Sequence, residues 1–335
     1  MNFFAKNVRL LQAFIHYKRH STILPYFPVR IWLETTNACN LRCVMCPNST
    51  DFSSVRGNMD IDLYESIISQ ISGKVNDLNL SHRGEPLFHP DLEKMIRIAS
   101  DHRLATRIHT NATLLDARRS TSLLEAGPDL VSFSFDGYDK ETYESVRVGG
   151  IYEKTLENIR FFLSEKRRLG LTKPYTVVQI IEPSDITGEY RENLQRFGDR
   201  IRGYGLDKFY IKKPHNWAGN APDQAPLNKQ FIPCTFLYYS MTVLWNGLVC
   251  PCPQDWYGTR VLGDLTEQTV EEVWNGEPYR DMRRRVALQD LDGWLCENCD
   301  RVFRPSVWGI PTENLKSFLG ETLAGYKLAR KLIRK

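Results

Sequence analysis

No run of about eighteen apolar residues, the length a membrane-spanning helix needs, occurs in the chain, so none is expected to cross a bilayer. The first residues show no secretion-signal pattern, because Lys6, Arg9 and Gln12 break the apolar stretch. A cytoplasmic location is therefore expected. Nor is there an excess of charge: 44 Lys and Arg against 40 Asp and Glu leave +4 over 335 residues. That balance gives no nucleic-acid footprint, and no nucleic-acid partner is expected. Repeats of fixed period and low-complexity tracts are also missing, which excludes solenoids and biased linkers as the main architecture. What remains, 42% hydrophobic and 25% charged, is the composition of a globular chain with room for one large domain and an appendage.

What the chain does have is cysteine, in two groups. Eight cysteines without a secretion signal point to metal or catalysis rather than to disulfides. Cys39, Cys43 and Cys46 lie close together; Cys234, Cys250, Cys252, Cys296 and Cys299 lie far downstream. Three thiolates spaced three and two residues apart can ligate three irons of a four-iron cluster. The fourth iron is then open to a small molecule. Cluster motifs built for electron transfer usually supply four ligands. Zinc usually takes four N/S ligands in two pairs, a pattern that three cysteines with one x3 gap fit poorly.

From Val29 to Pro214, short apolar runs alternate with amphipathic stretches. The strand-like runs are Val29–Thr36, Asp77–Arg83, Ala105–Asn111, Leu130–Asp136, Tyr175–Glu182 and Lys208–Lys213. Helix-like stretches lie around Leu63–Ile71, Leu92–Ala99, Ala117–Leu124, Tyr152–Arg168 and Glu189–Arg202. This alternation predicts βαβ units and a parallel sheet. In parallel α/β barrels the C-terminal ends of the strands carry the active site.

Cys39-x3-Cys43-x2-Cys46 after the first strand-like run resembles the signature of the radical S-adenosylmethionine (radical SAM) enzymes. The resemblance implies an α/β fold, a partial (β/α)6 TIM-type barrel. It implies a 4Fe-4S cluster whose open iron binds SAM and cleaves it to a 5′-deoxyadenosyl radical. The residue before the last cysteine is often aromatic in that family and is Met45 here. Ser81-His82-Arg83-Gly84-Glu85-Pro86 resembles the family's Gly-Gly-Glu-Pro, with Arg83 in place of the first glycine. Gly84 and Glu85 are then expected to bind the SAM amino group; alone, Gly-Glu-Pro reads as a turn. Thr110-Asn111 resembles Thr-Asn-Gly with Ala112 in place of glycine, which puts Asn111 against SAM or substrate, or else makes it a cap. Alternation places Ser132, Ser134 and Asp136 on one face, the barrel interior. Hydroxyls and a carboxylate on that face, Asp136 among them, can hydrogen-bond a cofactor's ribose; the resemblance puts Ser134 there and Arg147 on the SAM carboxylate, a bidentate task suited to guanidinium. Otherwise Arg147 is a surface residue ahead of a helix. Gln179, Glu182, Lys212, His215 and Asn216 either line a substrate cavity or face water at strand ends. His82 and His109 read as satisfied structural histidines.

Downstream, Thr242–Trp245, Asn246-Gly247 and Leu248-Val249 predict a β-hairpin with a type I′ turn. A helical stretch follows around Val270–Arg285. With its five cysteines this region resembles the SPASM extension of radical SAM enzymes in its shortened "twitch" form. The longer Cys-x2-Cys-x5-Cys-x3-Cys run of the full form is absent, so one auxiliary 4Fe-4S cluster is implied. The family pattern around Gly247 to Asp255 selects Cys252, with Cys234, Cys296 and Cys299, as its ligands; four-cysteine zinc is the alternative. Cys250 is left over, either as a small buried hydrophobe or as a hydrogen-atom donor, as in radical SAM epimerases.

At the ends, Phe4, Val8, Leu11 and Ile15 share one face of a helix pattern, as do Leu315, Phe318, Leu319, Leu323, Tyr326 and Ile333. Both helices are expected to pack on the barrel with basic residues solvated. The alternative is peripheral contact with an anionic membrane or a lipid-linked substrate. The expected organisation is a lead-in helix over 1–28, a core over 29–217, a linker over 218–233, an auxiliary-cluster domain over 234–305 and a terminal helix over 306–335. By analogy within the family it resembles, one auxiliary cluster implies a small-molecule, sugar- or cyclitol-like substrate, oxidised with electron transfer to that cluster, and a low-potential donor such as flavodoxin or ferredoxin. Alternatives are an epimerase using Cys250, modification of a lipid-linked or peptide substrate, and a non-catalytic iron–sulfur or zinc scaffold.

Overall fold

The computed structural model describes residues 3–49, 55–182, 187–221 and 230–312. Six parallel strands follow the expected runs: β1 (Arg30–Leu33), β2 (Asp77–Asn79), β3 (Ala105–Thr110), β4 (Leu130–Ser134), β5 (Tyr175–Ile181) and β6 (Lys208–Lys212). After the lead-in helix α1 (Phe3–Lys18), helices α2 (Ile61–Ile71), α3 (Leu92–Asp101), α4 (Ala117–Ala126), α5 (Lys140–Val146), α6 (Tyr152–Arg168) and α7 (Gly188–Arg202) connect them. Polar caps start several of these helices. Asp60 accepts the backbone N–H groups of Asp62 and Leu63 at α2, and Asp139 with Thr142 forms a capping box at α5.

The cysteine-rich region does not stand apart from this sheet. After α8 (Phe236–Tyr239) come β7 (Ser240–Val243), β8 (Leu248–Cys250) and β9 (Gly263–Asp264). β7 pairs in parallel with β1, Arg30 opposite Ser240, so nine strands run in the order β6-β5-β4-β3-β2-β1-β7-β8-β9. Two helices finish the region, α9 (Val270–Trp274) and α10 (Glu277–Leu288). One helix was expected there. It splits because Asn275 and Gly276 interrupt it and Pro278, which has no N–H to give, sits in the first turn of the second.

Alternation gives the sheet two unlike faces. Ile31, Leu33, Leu78, Ile108, Val131, Phe133, Val178 and Ile180 join the helices' Ile67, Ile68, Met95 and Phe162 in one buried core. The opposite face carries Arg30, Trp32, Asp77, Asn79, Arg107, His109, Ser132, Ser134 and Gln179. Asp77 is paired there with Arg30 and, at 3.5 Å, with Arg107. The polar face is the one available to chemistry.

Two further expectations are corrected. The hairpin turn is not type I′, which needs positive φ at both central residues. Gly247 N–H donates to Leu244 O at 3.0 Å, and of the loop residues 245–247 only Gly247 has positive φ, 90°. The loop is three residues long, a turn closed by a left-handed glycine. In α1 the inward stripe is Leu10, Ala13 and Tyr17, while Val8 and Leu11 are exposed. Tyr17 fixes that rotation by donating its hydroxyl to Pro233 O at 3.1 Å and Gly309 O at 3.2 Å. The C-terminal pattern from Leu315 to Ile333 lies outside the described residues, as does much of the 218–233 linker.

The segment between α1 and β1 is held by the C-terminal region. Trp274 Nε1 donates to Tyr26 O at 2.8 Å, Tyr26 hydroxyl to Tyr238 O at 3.0 Å, and Val29 N–H to Tyr239 O at 2.8 Å.

Candidate active site

Cys39, Cys43 and Cys46 lie in the loop after β1, at the end of the strands expected to carry the site. Two partners hold this loop. Backbone N–H groups of Arg42 and Val44 donate to Val148 O (2.9 Å), just after α5, and to Val146 O (3.0 Å), its last residue. Buried Asn37 donates to Val55 O at 2.9 Å and accepts Gly57 N–H at 2.8 Å, and Arg56 donates to Asn37 O at 2.7 Å and Asn48 Oδ1 at 3.0 Å. Burial pushes the Cys39 thiol up to about 11 and that of Cys46 to about 12, and the neighbouring cysteines add to both. Ligation needs thiolates, so loading iron here would expel protons.

The loop after β2 lies against this one. A Cβ on Gly84 would sit 2.3 Å from Thr36 O and 2.6 Å from Ala38 O, so only glycine lets the two backbones touch. Glu85 is buried beside it. Its Oε1 accepts the Thr110 hydroxyl at 2.6 Å and Leu87 N–H at 3.2 Å; its Oε2 accepts Asn111 N–H at 2.6 Å. Burial raises its carboxyl to about 7 against the pull of these donors. Asn111 Nδ2 reaches Asn40 Oδ1 at 3.0 Å and Cys39 Sγ at 3.9 Å. Ala112, where glycine was expected by resemblance, has φ 61°, the left-handed conformation that glycine fills without strain.

Arg147 follows α5 and turns inward. It pairs with buried Asp136 and points Nη1 at Cys43 Sγ, 3.4 Å away. Asp136 also accepts Ile181 N–H. Arg147 is thus no surface arginine. Ser134 and Gln179 are neighbours in register on β4 and β5, and no hydrogen bond holds either side chain. His82 and His109 are kept neutral by burial, at about 4 and 3, and His109 lies parallel to Trp32 with rings 6.4 Å apart.

The downstream cysteines separate by environment. Beyond burial, the Cys252 thiol is raised by Cys234, Cys299 and Cys296, its cysteine neighbours. Cys250 is fully buried but its charged neighbours are Asp255, Arg83 and Glu34, not cysteines. Asp255 closes the turn beside them by accepting Thr259 N–H at 2.9 Å and Arg260 N–H at 3.0 Å.

Some site residues were not singled out from sequence. Glu34 is completely buried at the end of β1 and holds Arg83 in a fork, Nε to Oε1 at 2.6 Å and Nη2 to Oε2 at 2.7 Å. Glu34 Oε2 also accepts Trp245 N–H at 3.1 Å, and Arg83 Nη1 donates to Trp256 O at 3.4 Å. The arginine that replaces a family glycine therefore ties the core to the hairpin. The carboxylate inside an apolar run, Ile31-Trp-Leu-Glu34, was the available signal. Trp217 and Trp256 meet edge to face, 5.0 Å apart, in the same region.

Thiols are the donors that iron–sulfur clusters take: three lie in one loop, Cys43 buried and Cys39 and Cys46 half-buried, and Cys234, Cys252, Cys296 and Cys299 are buried downstream. The sequence profile of the Radical SAM superfamily matches residues 33–178, and that of the SPASM iron–sulfur cluster-binding domain matches residues 234–300. The chain is 32% identical over 313 residues to the AdoMet-dependent heme synthase of Methanosarcina barkeri, covering 81% of this chain and 88% of that protein. It is 28% identical to the tungsten-containing aldehyde ferredoxin oxidoreductase cofactor-modifying protein of Pyrococcus furiosus, over 86% of this chain and 99% of that one. To the S-adenosyl-L-methionine-dependent 2-deoxy-scyllo-inosamine dehydrogenase of Niallia circulans it is 23% identical, over 81% and 92%. Its fold is similar to the crystal structure of BtrN in complex with AdoMet and 2-DOIA, with TM-score 0.54 at 19% identity over 82% of this chain and 93% of that one.

The chain belongs to the radical SAM superfamily and carries a SPASM domain. It is a radical SAM enzyme whose cofactors are a SAM-binding 4Fe-4S cluster, SAM and an auxiliary 4Fe-4S cluster. No helix among the described residues is long and apolar enough to cross a membrane.

Proposed function

We propose that this enzyme oxidises a small, sugar- or cyclitol-like substrate at a C–H bond and passes the second electron to its auxiliary cluster. When bound, SAM and the first cluster supply a carbon radical that removes the hydrogen atom; the substrate then loses a proton and an electron and becomes a ketone. Cys39, Cys43 and Cys46 hold the first cluster. Glu85, fixed by Thr110 and Asn111, accepts the SAM ammonium, with Gly84 giving the close approach. Arg147, oriented by Asp136, faces the SAM carboxylate beside Cys43. Ser134 and Gln179, side by side and without protein partners, face the ribose and its surroundings. Cys234, Cys252, Cys296 and Cys299 hold the auxiliary cluster within a domain spanning 234–305, joined to a core spanning 29–217. A low-potential donor such as flavodoxin or ferredoxin supplies the reducing electron.

The observation that carries this reading is the second set of cysteines, which would hold a cluster able to accept the electron that dehydrogenation releases. The test is anaerobic reconstitution with iron, sulfide, SAM and a strong reductant. 5′-Deoxyadenosine should form above a Cys43→Ala control, and substrate should yield a product two mass units lighter. A wild-type protein with intact clusters that forms none refutes the assignment.

Epimerisation is the second reading, favoured by one observation: Cys250 stands apart from the other four cysteines, beside Arg83 and Glu34. It predicts a product of unchanged mass, deuterium taken up from solvent, and loss of turnover in Cys250→Ala.

A further inference from the structure

Two consecutive residues, Asn216 and Trp217, touch both cysteine groups. Asn216 is fully buried and all its polar groups are used. Its Nδ2 donates to Asn298 O at 2.7 Å, its Oδ1 accepts Asp300 N–H at 3.1 Å and Gly219 N–H at 3.2 Å, and its N–H donates to Asp300 Oδ1 at 3.4 Å. Asn298 lies between Cys296 and Cys299, and Asp300 follows Cys299. Contact on this side is close: a Cβ on Gly219 would sit 2.9 Å from that of Asn298. On the other side Trp217 Nε1 donates to Met45 O at 3.1 Å, and Met45 lies between Cys43 and Cys46. The indole is packed between His215, 4.1 Å away, and Trp256.

The backbone here is unusual. Trp217, Ala218 and Gly219 have φ of 50°, 56° and 92° in succession. Residues with side chains keep the left-handed conformation only where their surroundings over-determine it. The surroundings are these hydrogen bonds. They turn a segment that leaves β6 into a strut between two loops, one carrying three cysteines and the other two.

We infer that Asn216 and Trp217 are positioning residues that couple the two centres, so that the auxiliary-cluster loop tunes SAM binding at the first cluster. The inference rests on the radical SAM reading of the two cysteine groups. A held 296–300 loop holds Asn216; Asn216 holds Trp217; Trp217 fixes the carbonyl in the turn between Cys43 and Cys46. Ordering that turn before SAM arrives removes an ordering cost from binding. Because coupling is reciprocal, SAM in turn steadies the auxiliary loop.

The test is a double-mutant cycle on enzyme carrying both clusters, reduced anaerobically. The SAM dissociation constant is read from the change that SAM induces in the electron paramagnetic resonance spectrum of the first cluster. Trp217→Phe keeps the packed ring and loses only the N–H; Asn216→Ala cuts the strut at its other end. Each should weaken SAM binding roughly three- to ten-fold, the effect of one hydrogen bond. The double variant should be no weaker than the worse single one. In protein lacking the auxiliary cluster (Cys296→Ala with Cys299→Ala), Trp217→Phe should change affinity less than about two-fold. Iron content and far-ultraviolet circular dichroism equal to wild type exclude misfolding of the two strut variants; if Asn216→Ala fails this check, Trp217→Phe with and without the auxiliary cluster completes the cycle. Single variants within two-fold of wild type, or a double variant that multiplies the two effects, overturn the coupling. A wild-type spectrum unmoved by SAM overturns the radical SAM reading instead.

Discussion

Replacing Glu85 by Gln tests the SAM site at its centre. The carboxylate is gripped by three donors: the Thr110 hydroxyl and Leu87 N–H on Oε1, and Asn111 N–H on Oε2. One lone-pair direction is left for an incoming ammonium. Glutamine keeps the size, but its NH2 must replace one oxygen and therefore face a donor whichever way it turns. A hydrogen bond to a charged group contributes about 1.5–3 kcal/mol. At about 1.4 kcal/mol per tenfold, SAM affinity should fall roughly 10- to 150-fold. The assay is SAM titration of the reduced, cluster-loaded protein, with 5′-deoxyadenosine formation as a second readout. Acidity gives an independent arm. Burial raises this carboxyl to about 7, so below that pH it is largely protonated and cannot pair with the ammonium. Wild-type affinity should drop as pH falls through 7, and Glu85→Gln should stay flat across that window. Thr110→Val removes one supporting donor but no charge and should cost only a few-fold. Glu85→Gln binding SAM within two-fold of wild type, or sharing its pH profile, would refute the role and leave Glu85 as a cap on the turn at Pro86.

Arg83→Met leaves a fully buried Glu34 unpaired and should cost about 3–5 kcal/mol in urea unfolding of the anaerobic holoprotein. Adding Glu34→Leu should recover most of that loss; costs that simply add would show that the pair is not coupled. Cys252→Ala should remove one cluster's iron while Cys250→Ala leaves the content unchanged, counted by iron and sulfide analysis; equal losses would undo the grouping. Gly84→Ala drives a methyl onto two backbone carbonyls that cannot swing aside, so SAM affinity should fall more than tenfold with the auxiliary cluster retained. Normal SAM binding in that variant would mean that the two loops do not need their close approach.

The barrel strands were legible because each alternates locally. Ile31 and Leu33, Val131 and Phe133, Val178 and Ile180 face one way, and the residues between them carry the polar face. The cysteine triplet needs only spacing within one loop, so it too was legible. What was hidden depends on distance along the chain. Nothing near Arg30 announces Ser240 as its neighbour, so the pairing of β7 with β1 was not foreseen. Arg83 looked like a departure from a pattern until Glu34, remote in sequence, was found to hold it. Trp217 was placed at the very end of the core, just ahead of a linker rich in small residues, and nothing nearby announced its anchors, Met45 and, through Asn216, Asn298. The type I′ expectation failed because Asn-Gly was taken as the whole loop, whereas Trp245 belongs to it as well. Proline at the start of α10 was visible, but a long amphipathic period masked the break ahead of it.

The pairing of β7 with β1 has a consequence for how the protein is made. As the chain leaves the ribosome, β1 emerges early and its outer neighbour only after the whole barrel has been translated. Until then one edge of the sheet stays open to other chains, and the carbonyls of Tyr26 and Thr22 wait for Trp274 and Arg283. Long-range closure of this kind is slow and exposes the nascent chain to aggregation. A truncated barrel ending near residue 217 would therefore fail as an insoluble product before it could be assayed as an enzyme. The cysteine-rich region is a terminal seal on the fold.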